Sequence, residues 1–151
     1  GIYSIGVKIL ELIYFLPGVL IGSYLPAITY VKKHEPEKYR AKLLQFYSVM
    51  TYTALAFTVL MAVNSFWVMD LLYGKEFEGS GMILFIYSFS IYATFLGVAS
   101  SQYLTVERLL KISMYRTFIG AIANIILNFW LIPRYGINGA AIASLISYFI
   151  S

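Results

Sequence analysis

Cysteine is absent from this 151-residue chain, and charged side chains make up only 12% of it. Without thiols the chain can form neither a disulfide framework nor a thiolate metal site. Soluble domains carry about 25% charged residues, so a soluble bundle of wholly buried helices would lack the polar shell that it needs. The scarcity of charge therefore indicates a protein whose solvent is lipid.

Signatures of common enzymes are missing as well. The sequence contains no phosphate-binding P-loop, no H-E-x-x-H zinc motif and no G-x-S-x-G nucleophile elbow. The single histidine, His34, lies in a lysine-rich segment. In such a segment a solvated side chain is a simpler interpretation than a catalytic base. We therefore expect no enzymatic activity, no metal and no cofactor. The formal charge of +4 is modest and gives no reason to expect a nucleic-acid partner.

Long apolar runs fill the chain instead. Two of them, Leu43–Met69 and Gly79–Val106, contain no charged residue, and each exceeds the length of about 20 residues that a transmembrane helix needs. Lipid cannot satisfy free backbone groups, and these runs are too long for barrel strands of about 10 residues. The sequence predicts an all-α, polytopic transmembrane helix bundle in a single domain.

Three further runs complete the predicted topology. The first, Ile2–Tyr30, carries only two charged residues, and Ile112–Pro133 carries only Arg116. The last, Tyr135–Ser151, is uncharged but short for a crossing. We predict four full spans plus one partial span, at residues 2–30, 43–72, 79–106, 109–133 and 136–151.

Basic residues alternate between the predicted loops. Loop 31–42 carries five of them and loop 107–111 carries two, whereas loops 73–78 and 133–135 carry one each, Lys75 and Arg134. Because short cytoplasmic loops are enriched in Lys and Arg, loops 31–42 and 107–111 are predicted to be cytoplasmic. Loops 73–78 and 133–135 are then external, in a multi-pass protein of the cell membrane.

Small and polar residues mark helix faces that could pack or line a pathway, because helices in lipid associate through close contact and hydrogen bonds. In the first span Gly18 and Gly22 form a GxxxG pair in register with Pro26, and Pro17 and Pro26 are both able to kink the helix. The fourth span carries a stripe with a spacing of four residues, which consists of Arg116, Gly120, Asn124 and Asn128. For each stripe, the pattern agrees with a role in helix packing and also with a role in substrate contact.

Ionisable groups inside a membrane are costly and raise a functional hypothesis. Lys8 and Glu11 are three residues apart, so they can partly neutralise each other while facing a polar interior. The cation could hold a pyrophosphate and the carboxylate a coupling ion, although a structural ion pair would look the same. Arg116 is interpreted either as a topology signal and headgroup anchor or as a substrate ligand. Candidate pathway residues are therefore Lys8, Glu11, Asn124, Asn128 and Arg116.

Several segments follow one another in an order and spacing that are typical of one family. The main ones are Leu72–Phe77, Asn124–Asn128 and the run Ile132–Ala141, with support at residues 1–5, 12–17, 25–27 and 102–104. Together they resemble polysaccharide flippases of the multidrug, oligosaccharidyl-lipid and polysaccharide exporter superfamily. The resemblance extends over nearly the whole chain. It is specific at the level of the superfamily and weak for the substrate.

This resemblance implies a two-lobe transporter of which the chain is a fragment, covering most of the second lobe, while the first lobe is missing. It implies flipping of a lipid-linked oligosaccharide, a cell-envelope polysaccharide precursor, across the membrane by alternating access. Implied partners are membrane lipids, the lipid-linked substrate, the first lobe and a coupling proton or sodium ion. A multidrug or cation antiporter of the same superfamily and a non-transporting scaffold subunit are the alternatives. A membrane glycosyltransferase would need larger loops than these.

Overall fold

Four helices account for nearly all of the computed structural model, which describes residues 13–73 and 79–151. They are α1 (Phe15–His34), α2 (Pro36–Tyr73), α3 (Gly79–Val106) and α4 (Leu110–Ile150). No strand occurs in either described range. The predicted all-α class is confirmed.

The connection between α1 and α2 is shorter than the sequence suggests. Residues 31–42 are predicted as a polar loop, but the helices reach into it from both sides and leave only Glu35 between them. Lys32 and Lys33 occupy the last turn of α1, where cations interact favourably with the negative end of the helix dipole. Pro36 begins α2, a position at which its missing N–H is not needed. Charge alone therefore did not mark the ends of these helices.

A tight turn joins α3 to α4. Arg108 adopts a positive φ of 60°, and its N–H donates to Thr105 O while the N–H of Leu109 donates to Leu104 O. These two bonds and the left-handed residue define a Schellman motif, in which glycine is the usual residue at the position of Arg108. The turn lies within the predicted loop 107–111.

The helix α4 folds back on itself at Gly136, where φ is 57° and ψ is −133°. Its arms, residues 110–135 and 137–150, run in opposite directions. Near the bend, a Cβ added to Gly139 would overlap the carbonyl of Leu131. At the far end of the hairpin, Gly120 of the first arm lies against Ser151. The bend coincides with the predicted boundary between the last two spans. At 1.5 Å per residue, the second arm measures about 21 Å and the first about 39 Å.

Helix α3 forms the centre of the bundle, with α2 and α4 packed against it and α1 resting on both α2 and α3. One face of α3 is fully buried, from Leu84 through Ile91 and Phe95 to Ala99. Opposite it, α2 contributes Phe46 and Met50 among others. The approximate four-residue spacing on α3 is the helical period, which explains why this uncharged run is the best-covered helix.

Large apolar side chains cover the outside of the bundle. On α4, Phe118 is 65% exposed, Ile125 is 70% exposed and Phe129 is 83% exposed. In water such a surface would cause aggregation, whereas lipid accepts it without cost. Three helices of the described ranges, Pro36–Leu71, Gly81–Val106 and Leu110–Ile150, are long and apolar enough to cross a membrane. The protein is therefore a membrane protein, and its division into four full spans plus a partial one stays a prediction.

Candidate functional site

A polar stripe runs along the first arm of α4 and faces the second arm. Asn128 Nδ2 donates to Asn124 Oδ1 over 2.9 Å, one helical turn away, and both side chains are half-buried. The bond uses one amide hydrogen of Asn128 and one lone pair of the Asn124 oxygen. Each amide can make further hydrogen bonds, so the pair retains donors and acceptors for a polar ligand. We refer to Asn124 and Asn128 as the amide pair.

Two grooves meet at this pair. One, with a volume of about 360 Å³, lies between the arms of the α4 hairpin and has Thr117, Asn124, Ser144 and Ser147 on its walls. The other, of about 550 Å³, is more apolar and is lined by both members of the amide pair together with Ile125, Phe129, Ile132 and Pro133. Asn124 borders both grooves. Asn124 therefore stands at the junction of a hydroxyl-lined groove and an apolar one, and Asn128 lies on the apolar side.

Arg116 lies two turns before Asn124 on the same arm and is half-buried. Its Nε donates to Ser151 O over 2.5 Å, so the guanidinium joins the two arms of the hairpin. It also lines a third groove, with Gly97 and Ser100 of α3 on the opposite wall. From the sequence, Arg116 is interpreted either as a topology signal and headgroup anchor or as a substrate ligand, and both interpretations stay predictions. The structure adds a contact between the two arms of the hairpin.

Residues of the predicted stripe on α1 have a different environment. Gly18 and Gly22 are exposed, and a Cβ at either position would meet no atom within 4 Å. Pro26 is exposed too, and α1 continues through it, whereas Pro17 is buried in the first turn. This glycine face is thus not covered by the described parts of the chain. Lys8 and Glu11 lie outside the described residues, so their predicted pairing stays a prediction.

A second polar cluster was not singled out by sequence. Lys32 of α1 and Glu107 of the α3–α4 turn form an ion pair of 2.9 Å, and the hydroxyl of Tyr39 on α2 donates to the same carboxylate oxygen over 2.6 Å. Lys32 Nζ also donates to Val106 O over 2.8 Å and lies 5.5 Å from the centre of the Tyr39 ring. We call Lys32, Tyr39 and Glu107 the clamp, because they connect α1, α2 and the turn.

Electrostatics favour the ionised form of Glu107. The hydrogen bond from Tyr39, and then the hydrogen bond and charge of Lys32, lower the pKa of its carboxyl group. The carboxylate is therefore charged across the physiological range. A sequence signal for the clamp did exist: two short loops predicted on the same side of the membrane, of which one carries Lys32 and the other Glu107.

Comparison with known proteins places the chain only broadly. No family model matches it, and no solved structure is similar to it. A membrane protein of Methanocaldococcus jannaschii, named only as uncharacterized, is 32% identical over 113 residues, which make up 74% of this chain. The chain spans 22% of the length of that relative. The similarity agrees with a location in the membrane and does not assign a family.

Proposed function

We propose that this chain forms part of the second lobe of a transporter that flips a lipid-linked oligosaccharide across the cell membrane by alternating access. The observation that carries the proposal is the amide pair on α4: Asn124 borders both the hydroxyl-lined groove and the apolar groove, and Asn128 borders the apolar one. Polar groups at membrane depth are costly unless they hydrogen-bond. An amide pair that lies beside a polar groove and an apolar groove suits a substrate that is polar at one end and apolar at the other.

The two grooves fit the two parts of such a substrate. The hydroxyl-lined groove beside Thr117 and Ser144 offers donors and acceptors of the kind that sugar hydroxyls bind. The apolar groove beside Ile125 and Phe129 offers surface of the kind that a polyprenyl chain contacts. Asn124, on both walls, would meet the junction between headgroup and tail.

The uncovered glycine face of α1 supports a larger assembly. Gly18 and Gly22 allow a close backbone approach by another helix, and the first lobe of the transporter is the partner that we propose for them. Rocking of the lobes against each other would open the cavity to one side and then to the other. Glu11 is proposed to bind a coupling proton or sodium ion and Lys8 to hold the pyrophosphate of the substrate, with an ion gradient or the membrane potential as the energy source.

A reconstituted flipping assay tests the proposal. In the full-length protein, Asn124→Leu combined with Asn128→Leu removes the amides while nearly conserving volume, and we expect the rate of translocation of a fluorescent polyprenyl-pyrophosphate oligosaccharide to fall at least about tenfold, which corresponds to about 1.4 kcal/mol. The matched control, Ile122→Leu with Ile126→Leu, changes exposed apolar side chains of the same arm that line neither groove, and it should retain the wild-type rate.

Other outcomes separate the alternatives. A wild-type flipping rate in the double asparagine variant would remove the amide pair from the pathway. Efflux of a cationic dye, with no movement of the lipid-linked sugar, would instead identify a multidrug or cation antiporter. Absence of either activity in the well-folded full-length protein would favour a scaffold subunit.

A further inference from the structure

A basic groove lies at the end of the bundle that carries the clamp. It has a volume of about 690 Å³ and runs between the last turns of α1 and the α3–α4 turn. Its floor is formed by Leu25 and Thr29, and its rim by Lys32, Lys33, Glu107 and Arg108, with Thr105 and Val106 closing one side. This volume is within the range of about 300–1,000 Å³ that small-molecule sites occupy.

The charges on the rim do not cancel. Lys32 is neutralised by Glu107 through the clamp, whereas neither Lys33 nor Arg108 forms an ion pair within the described residues. Both of these side chains are exposed. Two cations therefore remain at the mouth of the groove, where they attract an anion such as a phosphodiester.

The groove changes from charged to apolar along α1. Lys33 lies in the last turn of α1 and Arg108 in the α3–α4 turn, whereas Leu25 lies about two turns earlier on α1. In the predicted topology this end of the bundle meets the membrane surface, so the groove places cations at the level of the headgroups and apolar surface beside the acyl chains of a phospholipid. Basic residues near a membrane attract anionic headgroups with about 1 kcal/mol each.

We propose that this groove binds an anionic phospholipid, with its phosphate between Lys33 and Arg108 and its acyl chain along Leu25. The clamp holds the groove in shape, because Lys32 and Glu107 border it and fix α1 to the turn. The assignment requires only that the protein lies in a membrane, so it is independent of the proposed flippase function.

Backbone conformation supports a use for the Arg108 side chain. Its φ of 60° is a left-handed value, which glycine adopts at least cost. A non-glycine residue in this conformation is strained, and strain retained in a fold points to a role for the side chain. Here that role is a cation at the mouth of the groove.

Lipid titration followed by native mass spectrometry tests the site. The full-length protein in neutral detergent is titrated with phosphatidylglycerol, and separately with phosphatidylcholine of the same acyl chains. We expect Lys33→Gln combined with Arg108→Gln to weaken the binding of phosphatidylglycerol by about 30-fold and that of phosphatidylcholine much less, because the choline cation compensates the charge of its phosphate. The conservative pair Lys33→Arg with Arg108→Lys should restore the affinity for phosphatidylglycerol.

A matched control removes the same charge elsewhere at this end of the bundle. Arg40→Gln with Lys111→Gln should keep phosphatidylglycerol binding within about twofold of wild type, because neither residue lines the groove. An equal loss in both double variants, or no loss in either, would overturn the proposal. Displacement of the lipid by millimolar glycerol phosphate would overturn it too, since the groove would then be a site for a free phosphate.

Discussion

Lys32, in the last turn of α1, forms an ion pair of 2.9 Å with Glu107, in the turn between α3 and α4. The pair joins segments far apart in the sequence, and the hydroxyl of Tyr39 on α2 donates to the same carboxylate. One carboxylate thus connects three helices at one end of the bundle. In a protein whose helices contact each other mainly through apolar faces, such a connection fixes their relative positions.

A double-mutant cycle on the clamp should reveal coupling. Lys32→Met, Glu107→Gln and their combination in the full-length protein should show an interaction of about 1 kcal/mol, because the pair is reinforced by a tyrosine hydroxyl but remains partly solvated. The same cycle on the ion pair between Glu35 and Lys38, which is more exposed, serves as the control and should show almost none. Thermal unfolding in detergent provides the measurement, and equal coupling in the two cycles would contradict a special role for the clamp.

Acid should weaken the clamp in a defined direction. Since the pKa of Glu107 lies below its ordinary value of 4.5, the unfolded state binds more protons than the folded state as the pH falls through this region. The stabilisation that the ionised carboxylate contributes is fully present above pH 4.5, and it is lost as the pH falls below that value and through the lowered pKa of Glu107. The difference in melting temperature between wild type and Glu107→Gln should be constant from about pH 8 to about pH 5 and shrink at lower pH. A difference that grows on acidification would contradict the assignment.

Sidedness can be measured because the chain has no native cysteine. A single cysteine that replaces Lys38 or Lys111 lies at the clamp end of the bundle, whereas one that replaces Asp70 or Arg134 lies at the opposite end. We expect a membrane-impermeant maleimide, applied to intact cells expressing a full-length protein otherwise free of cysteine, to label only the second pair. Labelling of Lys38→Cys and Asp70→Cys from the same side would contradict the predicted topology.

The sequence predicted the helices better than their ends or their contacts. Uncharged runs such as Gly79–Val106 coincide with a helix because lipid leaves the backbone no alternative. The charged segment 31–42 proved almost wholly helical, since helices in membranes can extend past the hydrocarbon into water. The regular spacing of Asn124 and Asn128 predicted their shared face, whereas the contact between Tyr39 and Glu107 depends on how the helices pack, which no local pattern encodes.

Two glycines should be required for the α4 hairpin. Gly136→Ala places a side chain at a φ of 57°, a strained conformation that costs about 1–3 kcal/mol, and Gly139→Ala drives a methyl group into the backbone of Leu131. Both variants should lower the melting temperature of the full-length protein. The control Gly97→Ala meets no atom within 4 Å and should melt near the wild type. If all three variants have the same melting temperature, the arms do not fold back as described.

Arg108→Gly should separate stability from lipid binding. Glycine at the left-handed position of the Schellman motif relieves the backbone strain, so we expect the variant to be more stable by about 0.5–1 kcal/mol in neutral detergent. It also removes one of the two unpaired cations from the basic groove, so its affinity for phosphatidylglycerol should fall by about fivefold. Thermal unfolding and lipid titration on the same preparation measure both effects. A variant that gains stability and keeps full lipid affinity would show that the arginine is retained at this turn for another reason, since its strain would then have no counterpart in binding.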